Sequence, residues 1–133
     1  MRNRVQLIII FTLLVAADQF LKFLFSENSV CNKNIAWSLS AAPGFFYFLW
    51  AIIFIFLMFL LLKSKNYFEK IFLVLILSGA VSNIIDRIMH GCVVDFIDLK
   101  FWPVFNLADI YITIGIAMLI LNIIKSKCRE ATP

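Results

Sequence analysis

The sequence predicts an all-α integral membrane protein: a bundle of four transmembrane helices with small extracytoplasmic loop elements. Three observations predict it. Hydrophobic residues make up 63% of the 133 residues and the mean hydropathy is +0.98, where a soluble domain is about half apolar. Four apolar runs each approach the ~20 residues that cross a hydrocarbon core. Basic residues alternate between the connections, as the positive-inside rule requires. The 133 residues read as a single membrane domain, with no linker, repeat or low-complexity segment.

The first run, Val5 to Phe25, is interrupted by Asp18, Gln19 and Lys22. Arg2, Arg4 and Val15-Ala16-Ala17 together resemble a cleavable signal peptide. The apolar run resumes at Phe20-Leu21, so one longer span accounts for more of the sequence. The second run, Phe45 to Leu62, carries no charge. The third, Tyr67 to Met89, ends in Asp86 and Arg87, and the fourth, Phe105 to Ile124, contains Asp109. In lipid the backbone must satisfy its own hydrogen bonds, so these runs are helices.

Eight of the twelve basic residues lie on one side: Arg2, Arg4, Lys63, Lys65, Lys70, Lys125, Lys127 and Arg129. Both termini are therefore expected in the cytoplasm. Two outer segments follow, Ser26 to Gly44 and His90 to Val104, which mix polar and aromatic residues in the manner of interfacial loops. The charge of +4 is split among short patches between apolar runs, which fits lipid headgroups and topology rather than nucleic acid.

The charged residues inside the spans are the informative ones, because an ionisable group there is costly and turns to the bundle interior or to a water-filled cavity. Asp18 lies seven residues inside Phe25, about 10 Å below the outer end. Asp18 and Lys22 have the i, i+4 spacing of an ion pair. Asn83, Asp86 and Arg87 share one face, as do Asn106, Asp109 and Thr113. All lie in the outer halves of their spans, and Asp95 and Asp98 stand above them. A structural network joining the helices is the plainest reading. The excess of carboxylates favours chemistry. Asp95 and Asp109 have no basic neighbour in sequence, and two such carboxylates brought together cannot both ionise. That is the arrangement of an aspartic protease, although the sequence does not show that they meet. A proton-coupled transporter would place its carboxylate near mid-membrane, and an anchoring protein would use the cluster to hold another membrane protein. Cys31, Cys92 and Cys128 form no CxxC pair and His90 is the only histidine, which supports neither a metal site nor a Cys–His nucleophile. Whether Cys31 and Cys92, both on the outer side, are joined is left open.

Several segments resemble the lipoprotein signal peptidase (signal peptidase II) family. Asp18-Gln19 with Lys22 resembles its first-helix motif, and Asn32-Lys33-Asn34-Ile35-Ala36-Trp37-Ser38 the motif that follows. The run Ser78 to Arg87 resembles its third-helix motif. Val93-Val94-Asp95-Phe96-Ile97-Asp98 and Phe105-Asn106-Leu107-Ala108-Asp109 resemble the two segments that carry its catalytic aspartates. The resemblance implies an aspartic endopeptidase of the bacterial inner membrane, active at the outer face. It would remove the signal peptide of a diacylglyceryl-modified prolipoprotein just before the lipidated Cys. It implies Asp95 and Asp109 as the catalytic pair, and Asp18, Lys22, Asn32, Asn83, Arg87 and Asn106 in substrate-binding or support roles. Neither metal nor organic cofactor is implied, and the partners are the prolipoprotein and membrane lipids, with no obligate protein partner. Asn34, Ser78 and Ser82 stand where the family usually has Gly, and the short link from Asp98 to Pro103 implies an abbreviated lid.

Overall fold

The computed structural model describes residues 2–33 and 43–130. Asn34 and the remainder of its motif through Ser38 lie outside the described residues. Four long helices dominate: α1 (Arg2–Leu24), α2 (Pro43–Lys63), α3 (Tyr67–His90) and α4 (Leu107–Glu130). Among the described residues three helices have the length and hydropathy of a membrane span: α1 from Asn3, α3, and α4 through Arg129. Over Tyr47–Lys63, α2 is a shorter apolar helix.

The expectation of an all-helical chain is corrected by two short strands. β1 (Val30–Asn32) pairs antiparallel with β2 (Val93–Asp95), in the register Val30↔Asp95, Cys31↔Val94 and Asn32↔Val93. A further bridge joins Ile97 to Phe105. Helix α3 stops at Gly91, which takes φ 72° and sends its N–H back to the Arg87 carbonyl. The backbone beyond needs new partners, and the β-branched Val30, Val93 and Val94 suit a ladder. The bridge holds Phe105 in extended backbone, so α4 begins at Leu107 rather than at Phe105. At the other end α3 starts from Asn66, whose side chain accepts from the Phe68 N–H at 3.0 Å.

The α3 helix is the hub, packed on α4, α1 and α2. It buries Leu73, Val74, Ile76 and Leu77. Around Leu57, Leu73, Ile76 and Leu77 close Phe11, Phe54, Met58 and Leu119. The outward faces of the other helices carry exposed Ile8, Leu13, Phe20, Ile55, Phe56 and Leu121. Water cannot solvate such a surface at acceptable cost, whereas lipid tails can.

Two glycines let α3 and α4 touch. A Cβ on Gly79 would collide with the Ala108 carbonyl and sit 2.7 Å from Ile112 Cγ1. One on Gly115 would meet Ile76 Cγ1 at 2.7 Å and the Phe72 carbonyl at 2.8 Å. This is the small-residue contact by which membrane helices approach. Ser78 and Ser82 are fully buried on the same helix. A Gly79→Val variant should be destabilised by about 2 kcal/mol, seen as a lower melting temperature in detergent. An unchanged melting temperature would mean that α4 can retreat freely from α3.

Candidate active site

The C-terminal halves of α1 and α3 are joined through one ammonium group. Lys22 is 4% exposed. Its Nζ lies 2.7 Å from Asp18 Oδ2 and 2.7 Å from Asp86 Oδ2, and donates to Asn83 Oδ1 at 2.9 Å. The i, i+4 pair is thus part of a larger network. Asp18, fully buried, also accepts from Ser82 Oγ at 2.6 Å and from the Ala108 N–H at 2.8 Å. Gln19 Nε2 reaches Ser82 Oγ at 2.9 Å and Asp86 Oδ1 at 2.8 Å. Ser82 therefore keeps the close helix approach that a glycine would allow and adds a hydroxyl to Asp18.

The start of α4 is held by side chains. The first N–H groups of a helix have no internal partner, and in a bilayer water does not supply one. Asp18 takes the Ala108 N–H. Asn106 Oδ1 accepts from the Asp109 N–H at 3.0 Å, while Asp109 Oδ2 accepts from the Asn106 N–H at 3.2 Å. This is a reciprocal capping box. Asn106 thus precedes α4 and caps it, which corrects the expectation that it shares a helical face with Asp109 and Thr113. The buried Asn106 Nδ2 then reaches Asp95 Oδ1 at 2.7 Å and Asn83 Oδ1 at 3.0 Å. Asn83 Nδ2 donates to Asp109 Oδ1 at 2.9 Å.

Asp95 comes from β2. Its strand is fixed from below by Asp86, whose Oδ2 accepts from the Val94 N–H at 3.1 Å. It is fixed from the side by β1, where Asn32 Nδ2 donates to Asp95 Oδ2 at 2.9 Å. Cys31 and Cys92 form a disulfide across this ribbon, with Cα atoms 5.5 Å apart. Burial pushes the Asp95 carboxyl up to about 6, and the nearby Asp109 charge pushes the same way; Asn32, Asn106 and Lys22 oppose them.

Asp95 and Asp109 both line one cavity of about 470 Å³, and Asn32, Asn83 and Arg87 line it with them. Trp50, Ala80, Ile84 and Ile112 supply apolar wall. Two carboxylates, bridged by Asn106 and facing a common space, can share one proton and act on a bound water. Asp98 lies outside this cavity lining. It is exposed and is bonded to Lys100 through both the backbone N–H and Nζ, which holds its carboxyl below the usual range. Among the described residues no group of three or more His, Cys, Asp or Glu stands where it could hold a metal ion.

Every proposed site residue therefore falls within one connected network or its cavity. Spacing in the sequence assigns no role to Gln19 or Ser82, nor to Asp86 in seating β2. A buried carboxylate one turn beyond Asn83 was the available signal for Asp86. Nothing in the spacing pointed to Ser82.

The chain is similar to known proteins. The signal peptidase (SPase) II family model matches residues 8–125. The lipoprotein signal peptidase of Caldicellulosiruptor bescii is 42% identical over 108 residues, covering 80% of this chain and 72% of that protein. That of Staphylococcus haemolyticus is 38% identical over 101 residues, 71% of this chain, and the chain spans 64% of that relative's length. A bacterial membrane enzyme solved by the in meso method superposes with a TM-score of 0.86 at 29% identity, covering 96% of this chain and 93% of the other. A second such structure gives 0.80 at 30% identity over 90% and 93%. A family match across most of the chain, on a fold shared with a bacterial membrane enzyme, leaves one conclusion: this chain belongs to the signal peptidase II family.

Proposed function

We propose that the chain is a membrane-embedded aspartic endopeptidase that removes signal peptides from diacylglyceryl-modified prolipoproteins, cutting just before the lipidated Cys. The observation that carries this reading is the pairing of Asp95 and Asp109 on one cavity, each bonded to Asn106. The related proteins are named lipoprotein signal peptidases, which supplies the substrate class. In this reading a water between the two carboxylates attacks the scissile carbonyl. The ionised carboxylate takes the water's proton, and the protonated one donates to the carbonyl oxygen as it gains charge. The proton then passes to the departing amine of the Cys. Asn83, Asn106 and Asn32 hold the carboxylate oxygens in place, and the apolar wall accepts the acyl chains and the apolar signal segment. Positioning of that kind supplies several kcal/mol of the barrier reduction.

The membrane arrangement belongs to the same proposal. The four helices cross the inner membrane, both termini are cytoplasmic, and the dyad sits at the outer face. The basic residues of the Lys63–Lys70 connection and of the tail support it. The cysteines support it independently: the disulfide lies on the proposed outer side, and the exposed Cys128, which is in no disulfide, lies near the end of α4. A periplasm-active reporter fused at the end of the chain should be silent, and one inserted between α1 and α2 should be active. The reverse pattern would put the dyad on the wrong side.

The dyad assignment makes a sharper demand. Asp95→Asn and Asp109→Asn should each lower cleavage of a lipidated prolipoprotein by a factor of about 10² to 10⁴, with the melting temperature nearly kept. The double variant should be scarcely worse than either single, because the two act as one unit. Asp98→Asn should retain cleavage. Near wild-type cleavage by either single variant, read by mass spectrometry, would refute the assignment.

Asn32 provides a test through pH. Its hydrogen bond favours the ionised form of Asp95, so removing it raises the Asp95 pKa further above about 6. In Asn32→Ala the limb of the pH–rate profile that reports Asp95 should move to higher pH. A limb that stays in place or moves down would show that Asn32 does not act on this carboxylate.

A further inference from the structure

The disulfide does not touch the reacting groups, yet it stands between them and the rest of the outer loop. Cys31 immediately precedes Asn32, and Cys92 lies three residues before Asp95. The strands they join are three residues each, and β1 reaches the bundle from a chain segment 61 residues away in sequence. A two-stranded ribbon of this length is marginal by itself. β2 is tied to α3 through the Asp86 bond to the Val94 N–H. On β1, Val30 and Cys31 are exposed and Asn32 is half-buried. A strand with so little buried apolar surface gains little from packing.

We infer that the Cys31–Cys92 disulfide is a positioning device for catalysis, which fixes β1 on β2 so that Asn32 meets Asp95, and that cleavage by this protein therefore depends on the oxidised state of this pair. The inference rests on the aspartic-peptidase reading above. Because α1 already packs on α3, the covalent bond restrains only the short segment between the end of α1 and Asn32, and so limits the freedom of β1 relative to β2. Without it the Asn32 amide samples positions away from the carboxylate, and its donated hydrogen bond is lost for part of the time. Reduction by a dithiol opens the pair: Cys31 and Cys92 each gain a hydrogen, and the dithiol closes to its own disulfide. Cys31 is exposed and offers the entry point, while Cys92 is buried at 3%. The exposed Cys128 is outside the disulfide and serves as an internal control for labelling.

The charged groups that act on Asp95 come from every neighbouring helix of the site: Lys22 on α1, which also pairs with Asp86, Arg87 on α3, and Asp109 on α4. All of these are carried by helices that the disulfide does not join, so opening it acts on Asp95 through the ribbon. Loss of the Asn32 donor favours the neutral carboxyl. The signature is therefore a shift of pH dependence, which general loosening of the fold would not produce.

The test uses the full-length enzyme in detergent with a lipidated prolipoprotein as substrate. Mass spectrometry after thiol alkylation counts one free cysteine in the oxidised protein and three after dithiol treatment. The reduced enzyme, and a Cys31→Ser/Cys92→Ser variant, should cleave about twofold more slowly at about pH 7 and about tenfold more slowly at about pH 5, where Asp95 is mostly protonated. The Asp95 limb should move up by about one pH unit, as in Asn32→Ala, and reoxidation should reverse the change in the reduced wild type. Reduction in the Asn32→Ala background should add no further shift. An unmoved limb after verified reduction overturns the inference, as does a purified protein with three free thiols. If Asp95→Asn still cleaves, the dyad reading fails and takes the inference with it. An inactive Asp95→Asn beside a redox-insensitive wild type overturns the disulfide's role alone.

Discussion

The site is organised around one buried cation. An ammonium group taken out of water must be repaid by close anions and hydrogen-bond acceptors, and Lys22 finds Asp18, Asp86 and Asn83. Each of those three partners then serves a second element. Asp18 receives the Ala108 N–H and so determines where α4 starts. Asp86 receives the Val94 N–H and so determines where β2 lies. Asn83 donates to Asp109 and accepts from Asn106. The two carboxylates of the proposed dyad, on β2 and on α4, are thereby placed by side chains of α1 and α3 that gather around Lys22. The close contact of α3 with α4 through Gly79 makes those short bonds reachable.

The same groups solve a structural and a chemical requirement at once. A helix that begins inside a membrane must have its first N–H groups satisfied by protein. Asn106 and Asp109 do this for α4 with a capping box, and the cap is also what presents Asp109 and the Asn106 amide to Asp95. Ser82 combines small size with a hydrogen-bonding group. The position demands a small side chain because it is fully buried on the helix hub, and serine adds a hydroxyl where Asp18 accepts one.

Polarity is divided by depth. Towards the end of α3 near Tyr67 the helices meet through Leu57, Leu73, Ile76 and Leu77, with the Glu69 carboxylate taken up by Ser64 and Asn122. Towards the Gly91 end they meet through carboxylates, amides and one ammonium. The disulfide-linked ribbon closes over that end. The cavity is lined by polar groups together with Trp50, Ala80, Ile84 and Ile112.

Much of this could be read from the chain alone. Helices follow from apolar run length, because lipid admits few other backbone solutions. The importance of Asp18, Lys22, Asn83, Asn106 and Asp109 follows from the cost of polar groups in such runs. What sequence could not supply was pairing across distance. Hydropathy is blind to backbone hydrogen bonding outside the helices, so β1 and β2 were not foreseen. Helical periodicity put Asn106 on the face of α4, whereas the bridge between Ile97 and Phe105 pulls it out to cap the helix. The joining of Cys31 to Cys92, the turn of Asp86 towards Lys22, and the meeting of Asp95 with Asp109 through Asn106 all depend on residues far apart in the chain. Composition and spacing determine which groups must be buried; only the tertiary packing of α1, α3 and α4 decides which of them end within hydrogen-bonding distance, because that distance is set by how closely the helices approach.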